Sequence, residues 1–456
     1  MVTERRSFVG DVGPPVLPLS QVTVGDAMAI QELQIHGFRS LRDVSWRPGR
    51  LNLLVGPNGS GKSNVLRCLE FISESAKGHL ESTVAAGGGF LPLLWDYQAQ
   101  SLGWKLRVDP VHRPTDRTEH ALTYELQLAH VRGGSGYDIS RESLGNWHKF
   151  ESKQEPTPFF IFQRDSKGHV ISGKPATGPI PVADEPEPNE SLLSQYAIVV
   201  PDNNTTRLFR RGTCNWQIHH DIRAERDSVM RQPATTQFAK RLAADGGNLA
   251  TVLHTLYTSN REFRGLIDEG MTAGFGEDYQ EVVFQPAAAQ QIQLAVQWKS
   301  SSQPHAGADL SDGTLRFLFL ITILAHPEPP PLIALDEPEV GLHPSMLPII
   351  AEYASAATAK TQVVLTSHSP EFLDAFSELS PQVTLCHWED GKTDLYALDE
   401  QTLDKWLQRY RLGHLFTRGD LESLAMPQVE SLTDIDERFA DLPSEDQAMA
   451  DLRDSG

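Results

Sequence analysis

Gly56-Pro57-Asn58-Gly59-Ser60-Gly61-Lys62-Ser63 satisfies the phosphate-cradling pattern G-x-x-x-x-G-K-[ST] at every fixed position. The pattern requires a buried strand before it and a helix after it. Both are legible: Leu51-Asn52-Leu53-Leu54-Val55 reads as a short apolar strand, and Asn64 to Ile72 carries apolar residues at helical spacing. Glycines let backbone N–H groups converge on phosphate oxygens, and the helix N-terminus adds partial positive charge. Lys62 is expected to reach the β- and γ-phosphates and Ser63 to ligate Mg²⁺ through its hydroxyl. The residues from Gly56 to Asn64 are the expected lining of a nucleoside triphosphate site.

Bulk properties narrow the partners. A chain of 456 residues has room for about two or three domains. A formal charge of −20 argues against a coat of positive potential, so contact with nucleic acid needs a local basic patch. The nearest approach to a membrane span is Phe317 to Ala325, well short of the roughly 18 residues required, and no signal peptide opens the sequence. A cytoplasmic location without membrane contact is expected. Cys68, Cys214 and Cys386 form neither a C-x-x-C pair nor a ligand cluster, so they read as reduced and structural. His219-His220 is the closest histidine pair, but adjacent residues point in different directions, and zinc is not expected.

Along the chain, residues 1–27 have no clear period and read as a disordered arm, or as the result of a start upstream of Met28. Leu33 to Phe38 alternates as a strand does. Gly87-Gly88-Gly89 marks a turn, and strand-like stretches around Trp104 to Val108 and Leu122 to Ala129 predict a β-rich lobe. Residues 28–135 therefore form a first part with the P-loop and this lobe. Residues 136–227 read as a loop-rich insert, because prolines and glycines are dense from Glu155 to Glu190 and Asp184 to Glu190 is acidic. Residues 228–300 read as a helical subdomain with strands, Leu249, Val252, Leu253 and Leu256 sharing one face. No heptad persists and prolines punctuate the insert, which excludes a long coiled-coil arm. Residues 301–376 complete the main body, and 377–456 read as a small C-terminal segment with an acidic tail.

The second half of the site is Leu332-Ile333-Ala334-Leu335-Asp336-Glu337, an apolar strand ending in two carboxylates. Asp336 is expected to hold Mg²⁺, and Glu337 to orient or deprotonate the attacking water.

Leu310-Ser311-Asp312-Gly313-Thr314, followed by a helix, resembles the signature motif of ABC-type ATPases, and Val363 to Pro370 resembles their switch-histidine segment. With Glu339 to Pro344 as the D-loop and Ile35-His36-Gly37-Phe38-Arg39-Ser40-Leu41 near the start, the chain resembles the RecF/SMC-related bacterial ATPases. It is most similar to a group of predicted AAA-family ATPases with a RecF-like head. The resemblance covers about residues 30–376 and Trp406 to Leu421. It implies a P-loop ABC-type ATPase head of α/β class, residues 28–376, with the β-rich lobe and helical subdomain inserted between P-loop and signature. It also implies His368 as the switch histidine beside the γ-phosphate, Ser311 and Gly313 as contacts made in trans to nucleotide held by a second chain, ATP as the nucleotide, and a homodimer of heads. Asp312-Gly313-Thr314 departs from the Gly-Gly-Gln of transporters. For the glutamine loop, Gln98 and Gln100 are candidates, and a surface role fits either equally.

Two functions remain open. An ATP-gated DNA clamp in repair or recombination would present basic residues, with Arg207, Arg210 and Arg211 as candidates or else as partners of local acids. A switch in antiphage defence would control a separately encoded effector such as a nuclease, which strong acidity suits better. A nuclease within this chain is not expected: Asp434 and Asp436 lie in the acidic tail and read as solvated charge.

Overall fold

The computed structural model describes residues 28–108, 120–131, 136–148, 159–164, 170–174, 178–181, 187–195, 204–288 and 290–425. The expectations for residues 1–27 and for Asp434 and Asp436 lie outside these. The centre is a six-stranded sheet of β10 (Gln217–His219), β15 (Leu332–Leu335), β16 (Gln362–Ser367), β3 (Leu51–Val55), β17 (Gln382–Glu389) and β18 (Lys392–Ala397), in that order. All neighbours run parallel except the final β17–β18 hairpin. Every residue of β3, β15 and β16 is buried, as expected of parallel strands covered on both faces.

Alternation along these strands feeds two cores. Leu53, Ile333, Leu335, Val363 and Leu365 face one, and Leu54, Leu332, Ala334 and Val364 face the other. Helices α4 (Leu249–Ser259), α5 (Arg261–Phe275), α6 (Asp312–Leu324), α7 (Leu347–Ala357) and α8 (Pro370–Asp374) build the first core. The second lies between α1 (Lys62–Lys77), with α2 (Leu80–Ala86) and α3 (Asn204–Cys214), and a second sheet. That sheet is antiparallel, eight strands in the order β2 (Leu41–Trp46), β1 (Ile30–Phe38), β4 (Ser101–Val108), β5 (His120–His130), β6 (Tyr137–His148), β7 (Phe159–Arg164), β8 (Val170–Lys174) and β9 (Gly178–Pro181). It is the expected β-lobe, built over α1. The longest helix among the described residues is α1, at 16 residues, too short for a coiled-coil arm.

Three expected boundaries shift. The insert at 136–227 contributes β6 to β9 to the lobe sheet; its prolines are tolerated because β9, with Pro179 and Pro181, lies at the sheet edge. Within 228–300, helix is confined to α4 and α5. Before them stand only a 3₁₀ turn at Val229–Arg231 and β11 (Ala234–Thr235), where Pro233 and Gly246-Gly247 interrupt. After them β12 (Tyr279–Ala287) and β13 (Gln291–Trp298) pair, with β11 and β14 (His305–Ala306) beside β13. The boundary at 376 cuts through the central sheet, since β17 pairs directly with β3. Beyond the hairpin, α9 (Glu400–Leu407), α10 (Leu412–Thr417) and α11 (Asp420–Ala425) pack back onto the body, and Gly413 N–H donates to Asp374 at 2.7 Å.

Candidate active site

The parallel strands deliver the chemistry to one edge. P-loop, Asp336-Glu337, His368 and His220 follow the carboxyl ends of β3, β15, β16 and β10 respectively, the edge where open α/β sheets place ligands. The P-loop runs Gly56 to Ser63 into the start of α1. Gly61 caps that helix with φ 98°, and a Cβ there would stand 2.1 Å from Thr393 Oγ1, so only glycine fits. Thr393 Oγ1 donates to Ser60 O at 3.0 Å, which anchors the loop to β18. Pro57, Asn58 and Gly59 are exposed, whereas Ser60 is buried. The Asn64 side chain donates to Ser40 Oγ at 2.8 Å.

Lys62 is 4 % exposed, and its ammonium donates to Gly56 O at 2.8 Å and Pro57 O at 3.1 Å. Burial holds its pKa below the ordinary lysine value, against the attraction of Glu337. Glu337 Oε1 is 3.9 Å from that ammonium and 2.8 Å from His368 Nδ1. One carboxylate oxygen thus meets both the lysine and the histidine. Glu337 has a left-handed backbone, φ 46°, and its N–H donates to Thr366 Oγ1 at 3.0 Å. The same hydroxyl donates to Asp336 Oδ1 at 2.5 Å. Thr366, two residues before His368 in the switch-histidine segment, therefore orients both acids.

Burial alone would raise the Asp336 carboxyl, yet His220, Thr366 and Ser63 together hold it below the usual aspartate range. His220 Nδ1 stands 3.7 Å from Asp336 Oδ2. Ser63 lies in the first turn of α1 directly after the P-loop lysine, and its influence on Asp336 brings the two residues together as the candidate magnesium site. A hydroxyl and a carboxylate converging beside the P-loop are hard oxygen donors, of the kind Mg²⁺ takes alongside phosphate and water. The residues fit the ion.

His220 is the functional candidate that sequence reading missed. Its Nε2 contacts Glu70 Oε2 of α1 at 3.0 Å while Nδ1 faces Asp336. His219 turns the other way, into the core against Phe319, so the pair is not a joint ligand set. The only sequence signal was a strand of three residues. Gln98 and Gln100 instead sit on an exposed turn, where Gln100 Nε2 donates to Gln98 O at 3.4 Å. Ser311 caps α6, its Oγ accepting from Thr314 N–H at 3.1 Å, and Gly313 lies against Gly341. Among the described residues neither Ser311 nor Gly313 meets Lys62, Asp336, Glu337 or His368 of the same chain.

A family model described as "AAA ATPase domain" matches residues 28–123, and one described as "AAA domain, putative AbiEii toxin, Type IV TA system" matches residues 277–374. A stretch of 63 residues is 41% identical to structural maintenance of chromosomes protein 3 of Caenorhabditis elegans, covering 13% of this chain and 5% of that protein. Another of 49 residues is 41% identical to the DNA replication and repair protein RecF of Moorella thermoacetica, covering 10% of this chain and 13% of that protein. These curated relatives are thus matched over a small part of their length. Among solved structures, an SMC head bound to the C-winged helix domain of ScpA aligns with TM-score 0.48 and 13% identity, over 82% of this chain and 99% of that one. The SMC head domain from Thermotoga maritima aligns with TM-score 0.40 and 12% identity, over 82% and 100%.

Proposed function

We propose, from the premise that this chain is an SMC/RecF-like ABC-type ATPase, that two heads close over ATP and magnesium and hydrolyse the nucleotide to switch a separately encoded effector. The observation that carries the reading is the meeting of Lys62 and His368 on one oxygen of Glu337, beside the P-loop.

In this mechanism the P-loop amides from Gly56 to Asn64 cradle the phosphates, and Lys62 exchanges its carbonyl partners for the β- and γ-phosphates. Ser63 and Asp336 would hold a magnesium ion, which would supply positive charge to neutralise the phosphates. Glu337 orients the attacking water and accepts its proton, with His368 fixing that carboxylate on the γ-phosphate side. Ser311 and Gly313 of the second chain close over the γ-phosphate, so neither chain is complete alone. We place the switch in bacterial antiphage defence; the toxin-like family model and a net charge of −20 support a protein partner over general DNA coating. The DNA-clamp reading has weaker support. Arg210 donates to Ala76 O at the end of α1 at 3.0 Å and Arg207 to Asn204 at 2.6 Å, so both guanidiniums have local work.

The test is steady-state ATP hydrolysis with and without double-stranded DNA over a salt series. Glu337→Gln is expected to lose at least about 100-fold in turnover and to trap an ATP-bound dimer. Lys62→Ala is expected to prevent that dimer, and Ser311→Arg to abolish turnover while sparing ATP binding. Undiminished turnover by Glu337→Gln sinks the assignment of the base. Stimulation by DNA that fades with salt moves the conclusion to the clamp.

A further inference from the structure

Three carboxyl groups follow β15, and the chemistry proposed above uses two of them. The third, Glu339, is 8% exposed, whereas Asp336 and Glu337 are half-buried. Its Oε1 accepts from Ser367 Oγ at 2.5 Å. That hydroxyl in turn accepts the Ser369 N–H at 3.0 Å. The two serines flank His368, whose Nδ1 meets Glu337 Oε1 at 2.8 Å. A carboxyl on one segment therefore holds the backbone that carries the histidine of the next.

Beyond the last pair of β15 and β16, Leu335 with Leu365, two successive hydroxyls of β16 reach across to the acids. Thr366 serves Asp336 and the Glu337 amide, and Ser367 serves Glu339. A hydroxyl has one hydrogen to give. Given to Glu339, it leaves the Ser367 lone pairs turned to the Ser369 N–H. Without an acceptor at position 339 the hydroxyl is free to rotate, and the peptide between the serines loses that tie. Glu339 Oε2 is buried and meets no partner among the described residues. Burial raises the Glu339 pKa and the nearby Glu337 adds to it, against the Ser367 bond and His368. What the packing calls for here is a buried acceptor without charge.

We propose that Glu339 is a positioning residue for hydrolysis: as a neutral acceptor for Ser367 it fixes the histidine loop so that His368 Nδ1 stays on the Glu337 carboxylate. The proposal rests on the roles given to Glu337 and His368 above. Because the Glu339 bond runs to the histidine loop, its loss acts on the hydrolytic step and not on MgATP binding, which appears as a fall in kcat at an unchanged KM.

The experiment uses the full chain and the variants Glu339→Gln, Glu339→Leu and Ser367→Ala, each alone and combined with His368→Ala. Steady-state kcat and KM for MgATP are measured, with single-turnover hydrolysis where turnover is slow, together with equilibrium MgATP binding and melting temperature. Glu339→Leu and Ser367→Ala are expected to lose at least about tenfold in kcat with MgATP affinity within about threefold of the parent. Glu339→Gln keeps an acceptor for Ser367 without a charge, and is expected to hold kcat within about threefold of the parent. On top of His368→Ala, the leucine is expected to cost less than about twofold, because the group it positions is gone. Parental kcat in Glu339→Leu overturns the proposal. So does a glutamine variant that falls as far as the leucine, which would make the charge the working feature. A leucine penalty undiminished on top of His368→Ala overturns it too, since the residue then acts by another route. If Glu339→Leu does not fold, Ser367→Ala decides alone, reaching the same hydroxyl from β16. Undiminished turnover in Glu337→Gln or His368→Ala instead sinks the roles assigned to those residues, and this proposal with them.

Discussion

A left-handed non-glycine residue costs on the order of 1–3 kcal/mol and persists only where its surroundings hold it. At Glu337 the holder is Thr366, whose hydroxyl receives the Glu337 N–H and donates to Asp336. Thr366→Val keeps the shape and removes both bonds. Turnover is expected to fall about tenfold, with a weaker apparent magnesium affinity, for a loss on the order of one hydrogen bond to a charged group; Thr366→Ser should restore both. A valine variant with the parental magnesium titration would contradict this. His219 makes a second residue-scale case. Its Nδ1–H donates to Ala244 O at 3.2 Å and Nε2 is buried without a partner. Burial pushes its pKa down to about 4. The unfolded histidine takes its proton near 6.5 and the folded one resists to about 4. The contribution to stability is therefore complete above pH 6.5 and is lost as pH falls through that window, up to about 3 kcal/mol. Urea unfolding at pH 7.5 and 5 should show this slope, and His219→Gln should flatten it.

Among the elements, the lobe is locked to the P-loop helix through one buried carboxylate. Glu142 on β6 accepts from Tyr124 Oη at 2.9 Å, Leu192 N–H at 2.7 Å and Leu193 N–H at 3.1 Å. Burial raises its pKa, opposed by Arg164 and those two amides. The neighbouring Ser191 Oγ donates to Ser75 O of α1 at 2.7 Å, so the loop at 190–193 bridges lobe and helix. Glu142→Leu orphans two buried amides and is expected to cost about 3 kcal/mol, against about 1 kcal/mol for Tyr124→Phe. Chemical unfolding checks the order of the two variants, and equal losses would count against the carboxylate as the lock. None of this was legible in the sequence, because Glu142 belongs to no motif and its partners are distant in the chain. What was legible lay where a motif and a local period coincide, as in β3 with α1, or β15 with Asp336-Glu337. The same limit hid β10, too short to show a period, and with it His220. Thr366 lay inside a named segment, but its role was hidden for another reason: it acts through Asp336 and Glu337, which only the fold brings near.

For the molecule as a whole, the central sheet decides what can be removed. By sequence, residues 377–456 read as a small C-terminal segment, because nothing local says that a strand there joins the central sheet. In the fold, β17 lies on the opposite side of β3 from β16, pairing Val383 with Leu53 and Leu385 with Val55. Val383, Leu385 and Cys386 are buried, and Thr393 of β18 closes over Gly61. A chain ending at Phe376 would leave β3, the strand that carries the P-loop, as an unpaired apolar edge, a template for aggregation. It would also remove the Thr393 anchor beneath the phosphate cradle. Such a chain is expected to be insoluble, or to melt without cooperativity and bind no MgATP, whereas Thr393→Val in the full chain should fold and bind MgATP severalfold more weakly. Calorimetry and equilibrium nucleotide binding on both decide the matter. A soluble chain ending at 376 with cooperative unfolding and full MgATP affinity would mean that β17 and β18 are an appendage, and that the nucleotide fold closes without them.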